Sequence, residues 1–210
     1  MQFIFKIGSK IREAWPIYKA NFGVFLLLMV FTLVVQALGS NRHWALVLIS
    51  YVASIFVSFM WVRFVLNLID KKESNPFKKE SLPTLSQYWN LFKTIILNAL
   101  CVLLGLVLLV IPAFYISGRL IFAMYLSVDK NQGGRKSIKE SWEMTRGYGW
   151  LLFWKSFVIG LFIALGIIAF FIGSFITYPI GMLIYAMMYR EFSKMKLENP
   201  ITPVSAEVVN

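Results

Sequence analysis

TIILNALCVLLGLVLLVIPAFYISGRLIFAMYLSV, residues 94–128, is 35 residues of almost unbroken apolar chain. As one helix it would be about 52 Å long, against a bilayer core of about 30 Å. Pro112 stands near its middle, where a missing N–H and a bulky ring break or kink a helix. The stretch therefore reads as two spans joined by a tight turn, residues 94–111 out and 113–128 back. A second long run, 150–189, poses the same problem. Gly173-Ser174 divides it into spans over 150–172 and 174–189, with Pro179 kinking the last one. Nearer the start, the runs 22–38 and 44–69 are separated by Gly39-Ser40-Asn41 and closed by Asp70-Lys71-Lys72. The expected fold is all-α and integral to the membrane, with six transmembrane helices in three hairpins.

Composition agrees with that class. Hydrophobic residues make up 59% of the chain and charged residues 15%, where a soluble domain carries about a quarter charged. Mean hydropathy is +0.70. The expectation is a single membrane domain over residues 1–196 and a polar, disordered cytoplasmic tail over 197–210. The net charge of +11 does not point to nucleic acid, because the cations flank apolar spans, where topology and anionic lipid account for them. Of the 21 Lys and Arg, all but Arg42, Arg63 and Arg119 fall on one side of the six-span arrangement, as do all ten acidic residues. The positive-inside rule then places both termini in the cytoplasm. A signal peptide is the competing reading of the first run. A basic amphipathic segment precedes that run and no A-x-A-like site follows it, which argues against cleavage. Cys101 lies alone in an apolar run, so an intramolecular disulfide framework and a cysteine zinc cluster are excluded.

A tryptophan-centred phrase precedes three of the apolar stretches: IREAWPIYK at 11–19, LSQYWNLFK at 85–93 and IKESWEMTR at 138–146. The pattern is aliphatic-x-x-x-Trp-x-apolar-x-basic, around Trp15, Trp89 and Trp142. In each copy the residues at i, i+4 and i+7 share one helical face. Such a segment reads as an amphipathic helix at the cytoplasmic interface, with indole at headgroup depth and cations toward phosphate. Each hairpin is thus expected to be preceded by its own interfacial helix, as an anchor or as a site of lipid or partner contact.

Residues 111–153, IPAFYISGRLIFAMYLSVDKNQGGRKSIKESWEMTRGYGWLLF, resemble the bacterial YciC-like family and the membrane domain attached to some glycerophosphoryl diester phosphodiesterases. The resemblance rests on Pro112, Arg119, Asp129, Ser141, Thr145, Arg146, Gly147 and Trp150. The chain departs from the pattern at Ala113, where Gly is usual, and at Met124, where Pro often stands. The resemblance implies a six-helix protein of the bacterial inner membrane. It does not imply phosphodiesterase activity, which belongs to a separate soluble barrel that the chain is expected to lack.

Arg119 is the most unusual residue. Counted from Pro112 it falls near mid-bilayer, where an ionisable group costs several kcal/mol and marks either function or a buried polar joint. No carboxylate lies in any span, so Asn98, Gln36, Ser117 or backbone carbonyls at the Pro112 break are its expected partners. One reading is an intramembrane anion or lipid-phosphate site built from Arg119, Asn98 and Ser117; the other is a structural arginine. Arg63, Asn67 and Asp70 form a local stripe at i, i+4 and i+7, read as a snorkelling anchor. The interfacial contact set is Trp142, Thr145 and Arg146, with Trp15 and Trp89. His43 is the sole histidine and makes no metal site. Gly133-Gly134 lacks the Lys and Ser/Thr of a P-loop. No cofactor or catalytic set emerges. The expected role is non-enzymatic, through anionic membrane lipids, a homo-oligomer or another membrane protein, for instance in envelope homeostasis. The alternative is a small transporter or channel with Arg119 on an anion or lipid path.

Overall fold

The computed structural model describes residues 7–40, 43–72, 76, 82–108, 110–168 and 173–198. Among these residues no strand occurs, and nine helices follow in order: α1 Ile7–Ala20, α2 Phe22–Gly39, α3 Trp44–Ile69, α4 Leu85–Leu108, α5 Val110–Leu120, α6 Ala123–Asp129, α7 Gly134–Met144, α8 Gly149–Ile168 and α9 Ser174–Glu198. The segments Phe22–Gly39, Trp44–Ile69, Leu85–Leu106 and Gly149–Gly166 are long and apolar enough to cross a bilayer. Leu27, Val34, Leu104 and Leu161 are exposed on them. A row of this kind is stable against acyl chains, where a helix satisfies its own backbone. The chain is an all-α membrane protein.

Consecutive helices pack in pairs: α2 on α3, α4 on α5, α8 on α9. The core is concentrated toward one end of the bundle. On α3 the buried apolar residues run from Val57 to Leu66, while Trp44, Leu48 and Val52 near its start are exposed. Phe25, Trp61, Phe64 and Tyr178 form one aromatic cluster there, with ring centroids 5.0–5.9 Å apart. Phe122, Tyr125, Tyr189 and Phe192 form a second. Short helices α6 and α7 pack against this end, α6 on α3 and α4, α7 on α4 and α5.

Three expectations from the sequence change. First, only two of the three tryptophan phrases form helices of their own. The first lies in α1, which Asn21 separates from α2. The third lies in α7, which a turn through Gly147 (φ +83°) separates from α8. The second is the opening of α4 itself. Between Trp89 and Thr94 there is no Gly, Pro or Asn-capped break beyond Asn90, so the helix propagates straight into the apolar run. Second, α4 stops at Leu108, and Pro112 sits in the first turn of α5, where its missing N–H costs no helical bond. Third, the stretch 113–128 is not one helix. It breaks at Ile121-Phe122, and α5 and α6, at about 16 and 10 Å, are each shorter than the core. The Arg119 carbonyl oxygen, which a continuous helix would offer to the amide of Ala123, lies 2.9 Å from the Ser141 hydroxyl and 3.0 Å from that of Thr145. Leu109 of the expected span 94–111, residues 169–172 of 150–172, Arg42, and residues 199–210 of the tail lie outside the described residues; the tail's first two residues, 197 and 198, close α9.

Gly134 lets α7 begin against α4. A Cβ at that position would meet the Lys93 carbonyl carbon at 2.8 Å and the Thr94 nitrogen at 2.9 Å. Because the obstacle is backbone, Gly134→Ala is expected to lower stability by about 1–3 kcal/mol. Gly133→Ala, whose Cβ would meet only Asn90 Oδ1 at 3.6 Å, is the matched control. Thermal unfolding in mild detergent checks both, and equal melting of the two variants would refute the close-approach account.

Candidate functional site

Helix α7 has two faces with different chemistry. Gly134, Ser137, Ser141, Met144 and the following Thr145 are buried; Arg135, Lys139, Trp142 and Arg146 are exposed. These four are spaced i, i+4, i+7 and i+11, one stripe that runs along the helix to Arg146 just past its end, with Lys136 and Glu143, the partner of Lys139 at 4.0 Å, exposed at its flanks. The result is a cationic face with an indole in it, mounted on a face of small and hydroxyl side chains.

What fixes that mount is Arg119. Its side chain leaves the last turn of α5 and is 4% exposed. Nε donates to Thr145 Oγ1 at 3.1 Å, Nη1 donates to Tyr115 Oη at 2.9 Å, and Nη2 donates to the Trp142 carbonyl. The guanidinium carbon lies 4.2 Å from the centroid of a Trp142 ring, a close cation–π contact. The traffic also runs the other way, since Ser141 and Thr145 donate toward the Arg119 carbonyl. Thr145 carries one hydroxyl proton, shared between that oxygen and the Ser141 carbonyl at 2.7 Å. None of these partners is a carboxylate. The charge is solvated by dipoles and a π-face, which suits a buried arginine better than a single ion pair that must first be desolvated.

Two groups of residues that the sequence kept apart therefore meet. Arg119, from the expected intramembrane set, joins Trp142 and Thr145, from the expected interfacial set. Ser117 does not join them; its hydroxyl donates to Phe114 O at 2.8 Å. Asn98 is half-buried on α4 and is not among the partners of Arg119. Thr145, expected at the surface, is fully buried beneath α7, while Arg146 is exposed just after it. Trp15 on α1 is exposed and carries Lys19 over its ring at 5.0 Å. Trp89 on α4 is exposed and meets Phe92 edge-on.

The hydroxyl three residues after the tryptophan has the same use in the two phrases that possess one. Thr145 follows Trp142 and reaches the end of α5. Tyr18 follows Trp15, and its hydroxyl donates to Phe175 O at 3.3 Å. Phe175 lies four residues before Pro179, which sits inside α9. Proline supplies no amide to that carbonyl, so Tyr18 serves an oxygen that the helix leaves orphaned. The second phrase has Phe92 in this position and no hydroxyl to offer.

Sequence reasoning missed a second polar cluster. Arg190 on α9 donates to Asp70 Oδ2 at 2.6 Å and to Asp129 Oδ2 and Oδ1 at 2.6 and 2.9 Å. Tyr189 donates to Asp129 Oδ2 at 2.8 Å. Burial alone would push the Asp129 carboxyl up. The hydrogen bonds from Arg190 and Tyr189 outweigh it and hold the carboxyl below the usual carboxylate range. The cluster ties the ends of α3 and α6 to α9. Arg63, Asn67, Asp70, Lys72, Gln87, Asp129 and Asn131 surround a polar cavity of about 180 Å³ beside it. The stripe of Arg63, Asn67 and Asp70 is legible in the sequence; the pairing of Asp70 with Arg190, 120 residues on, is not. Among the described residues no group of three His, Cys, Asp or Glu side chains could hold a metal ion.

Residues 91–199, just over half of the chain, match the family described as the membrane domain of glycerophosphoryl diester phosphodiesterase. That span contains Arg119, all of α7 and the Asp129–Arg190 pair. No curated protein and no solved structure matches the chain.

Proposed function

The chain belongs to the family of the membrane domain of glycerophosphoryl diester phosphodiesterase, a domain distinct from the catalytic one, and on that premise we propose a non-enzymatic role at the cytoplasmic leaflet of a bacterial inner membrane. The bilayer is crossed six times, over residues 22–39, 44–69, 85–108, 110–128, 149–168 and 174–189, with both termini inside. The fourth crossing is the broken pair α5–α6. The protein acts through anionic lipid headgroups, which α7 engages with Arg135, Lys139, Trp142 and Arg146. The observation that carries this reading is the Arg119 joint. A surface helix with an apolar face can float at an interface unaided. This one is fixed to the end of a membrane helix through hydrogen bonds at Nε, Nη2 and the carbonyl oxygen of Arg119, and through a cation–π contact. Its cationic stripe is therefore held at a set depth and angle.

Hydrogen exchange in nanodiscs tests this. Amides of residues 135–146 are expected to exchange more slowly in discs containing phosphatidylglycerol than in discs of phosphatidylcholine alone. The difference is expected to vanish in an Arg135→Gln, Lys139→Gln, Arg146→Gln triple variant and to weaken with salt, since each juxtamembrane cation contributes about 1 kcal/mol that screening removes. Equal exchange in the two lipids would sink the reading.

A further inference from the structure

Helix α6 has seven residues, and a helix that short does not sustain itself. It begins just past the end of α5, and its first amides, those of Ala123, Met124 and Tyr125, have no acceptor within α6. A continuous helix would give them the carbonyls of Arg119, Leu120 and Ile121. Nothing in the local sequence forbids that. Ile121 and Phe122 are middling helix formers, and no Pro or Gly stands between Leu120 and Asp129. As one helix, residues 110–128 would be about 28 Å long, close to the bilayer core of about 30 Å. The break is therefore imposed from outside the segment.

What imposes it is α7. The Arg119 carbonyl oxygen accepts from the Ser141 hydroxyl at 2.9 Å, and the Thr145 hydroxyl, its one proton shared, stands 3.0 Å away. A carbonyl oxygen offers two lone pairs, so hydroxyls from α7 take the place of the Ala123 amide. Near its start α7 is tied to α6 instead: Ser127 of α6 and Ser137 of α7 both donate to the Gln132 carbonyl, at 3.1 and 3.2 Å. Helix α5 is not free to follow a movement of either. A Cβ on Gly118 would collide with the Gly149 carbonyl oxygen, and one on Gly149 would meet Arg119 Cδ at 2.9 Å, so the last turn of α5 lies close against the start of α8. With α5 fixed, straightening α5–α6 swings the end of α6, and the start of α7 with it, away from the Arg119 joint.

We propose that α7 is a strap that holds the α5–α6 break open, so that docking of α7 on Arg119 and joining of α5 to α6 exclude each other. The two arrangements exchange acceptors at one carbonyl. Movement of α7 is thereby converted into a change of direction in α6, which ends in Asp129, the carboxylate that Arg190 ties to α9. This goes beyond the reading of α7 as a lipid-binding face and does not depend on it.

The test is residue-resolved hydrogen exchange on Ser141→Ala in nanodiscs of phosphatidylcholine alone, where lipid charge plays no part. The substitution removes the Ser141 donor to the Arg119 carbonyl and leaves the three bonds from the guanidinium in place. Amides 123–125 are expected to exchange about fivefold more slowly as they gain the acceptors of a continuous helix. Amides 135–146 are expected to exchange about fivefold faster as α7 is released, a factor on the scale of one net hydrogen bond. The opposite signs are the signature, because loss of an ordinary tertiary hydrogen bond loosens both segments together. Ser141→Cys, close in volume and still a weak donor, is expected to move both segments in the same two directions by less, and it carries the test if the alanine variant does not assemble. Faster exchange in both segments, a change in one alone, or no change in either overturns the strap, whatever the lipid comparison on α7 returns.

Discussion

Arg119→Lys is expected to destabilise the protein by about 3 kcal/mol while keeping its charge. The arginine sends three nitrogens to three oxygens on different sides, those of Thr145, Tyr115 and Trp142, and lays its plane near the Trp142 indole. An ammonium is a point donor on a flexible stem and cannot serve that fork. At least two charge-assisted bonds would be lost, at about 1.5–3 kcal/mol each, partly offset by repacking. Unfolding in mild detergent measures the total. Hydrogen exchange locates it: residues 134–146 are expected to open first, with α2 and α3 little changed. A lysine variant that melts with the parent would show that the arginine is a passive buried charge.

The second large effect is expected at Arg190. Arg190→Met leaves Asp70 and Asp129 facing each other without the cation that binds both. Removing one partner of a buried pair costs about 3–5 kcal/mol. The side chains here are about a fifth exposed, so solvent screening trims this to about 2–4 kcal/mol. The pH dependence carries a sign. The Asp129 carboxyl is held below its ordinary range in the fold. Its stabilisation is therefore complete above the unfolded-state value of about 3.9 and is lost only as pH falls through the lower folded value. The parent is expected to hold its melting temperature from neutral pH down to about pH 5. In Arg190→Met, burial no longer opposed by the Arg190 hydrogen bonds raises the Asp129 carboxyl, so its protonation relieves the variant and the deficit shrinks on acidification. Arg190→Met combined with Asp129→Asn is expected to recover part of the loss at neutral pH. A deficit that stays constant between pH 8 and pH 4 would contradict this account.

Much of the helical framework was legible because bilayer physics writes it in long apolar runs and in charge bias. The tryptophan phrases were legible as amphipathic segments, and the continuity of the second with α4 could have been read from the lack of a breaker after Trp89. The break at Ile121-Phe122 could not. Neither residue disfavours helix strongly; hydroxyls on α7 compete for the carbonyl of Arg119, and they stand 22 and 26 residues away. Arg119 itself was legible, and backbone carbonyls were among its expected partners; that the carbonyl is Trp142's and the hydroxyls those of Thr145 and Tyr115 was not. A guanidinium satisfied by a backbone carbonyl, two hydroxyls and a ring leaves no sequence mark of which residues supply them. Arg190 was hidden for the opposite reason. At the inner end of a helix any cation has a ready explanation in topology, and that explanation masked a structural one.

The hydrogen bond from Tyr18 to the carbonyl orphaned by Pro179 spans 157 residues, and Lys10 pairs with Glu191 at 2.7 Å further along the same two helices. Both join α1 to α9, the first and last helices described. Chains lengthen at about 5–20 residues per second, so some ten to thirty seconds separate the synthesis of Tyr18 from that of its acceptor. Throughout that interval α1 waits with its docking partner unmade. The bundle closes like a clasp whose second half is made last, and its earliest helix is among the last to be secured.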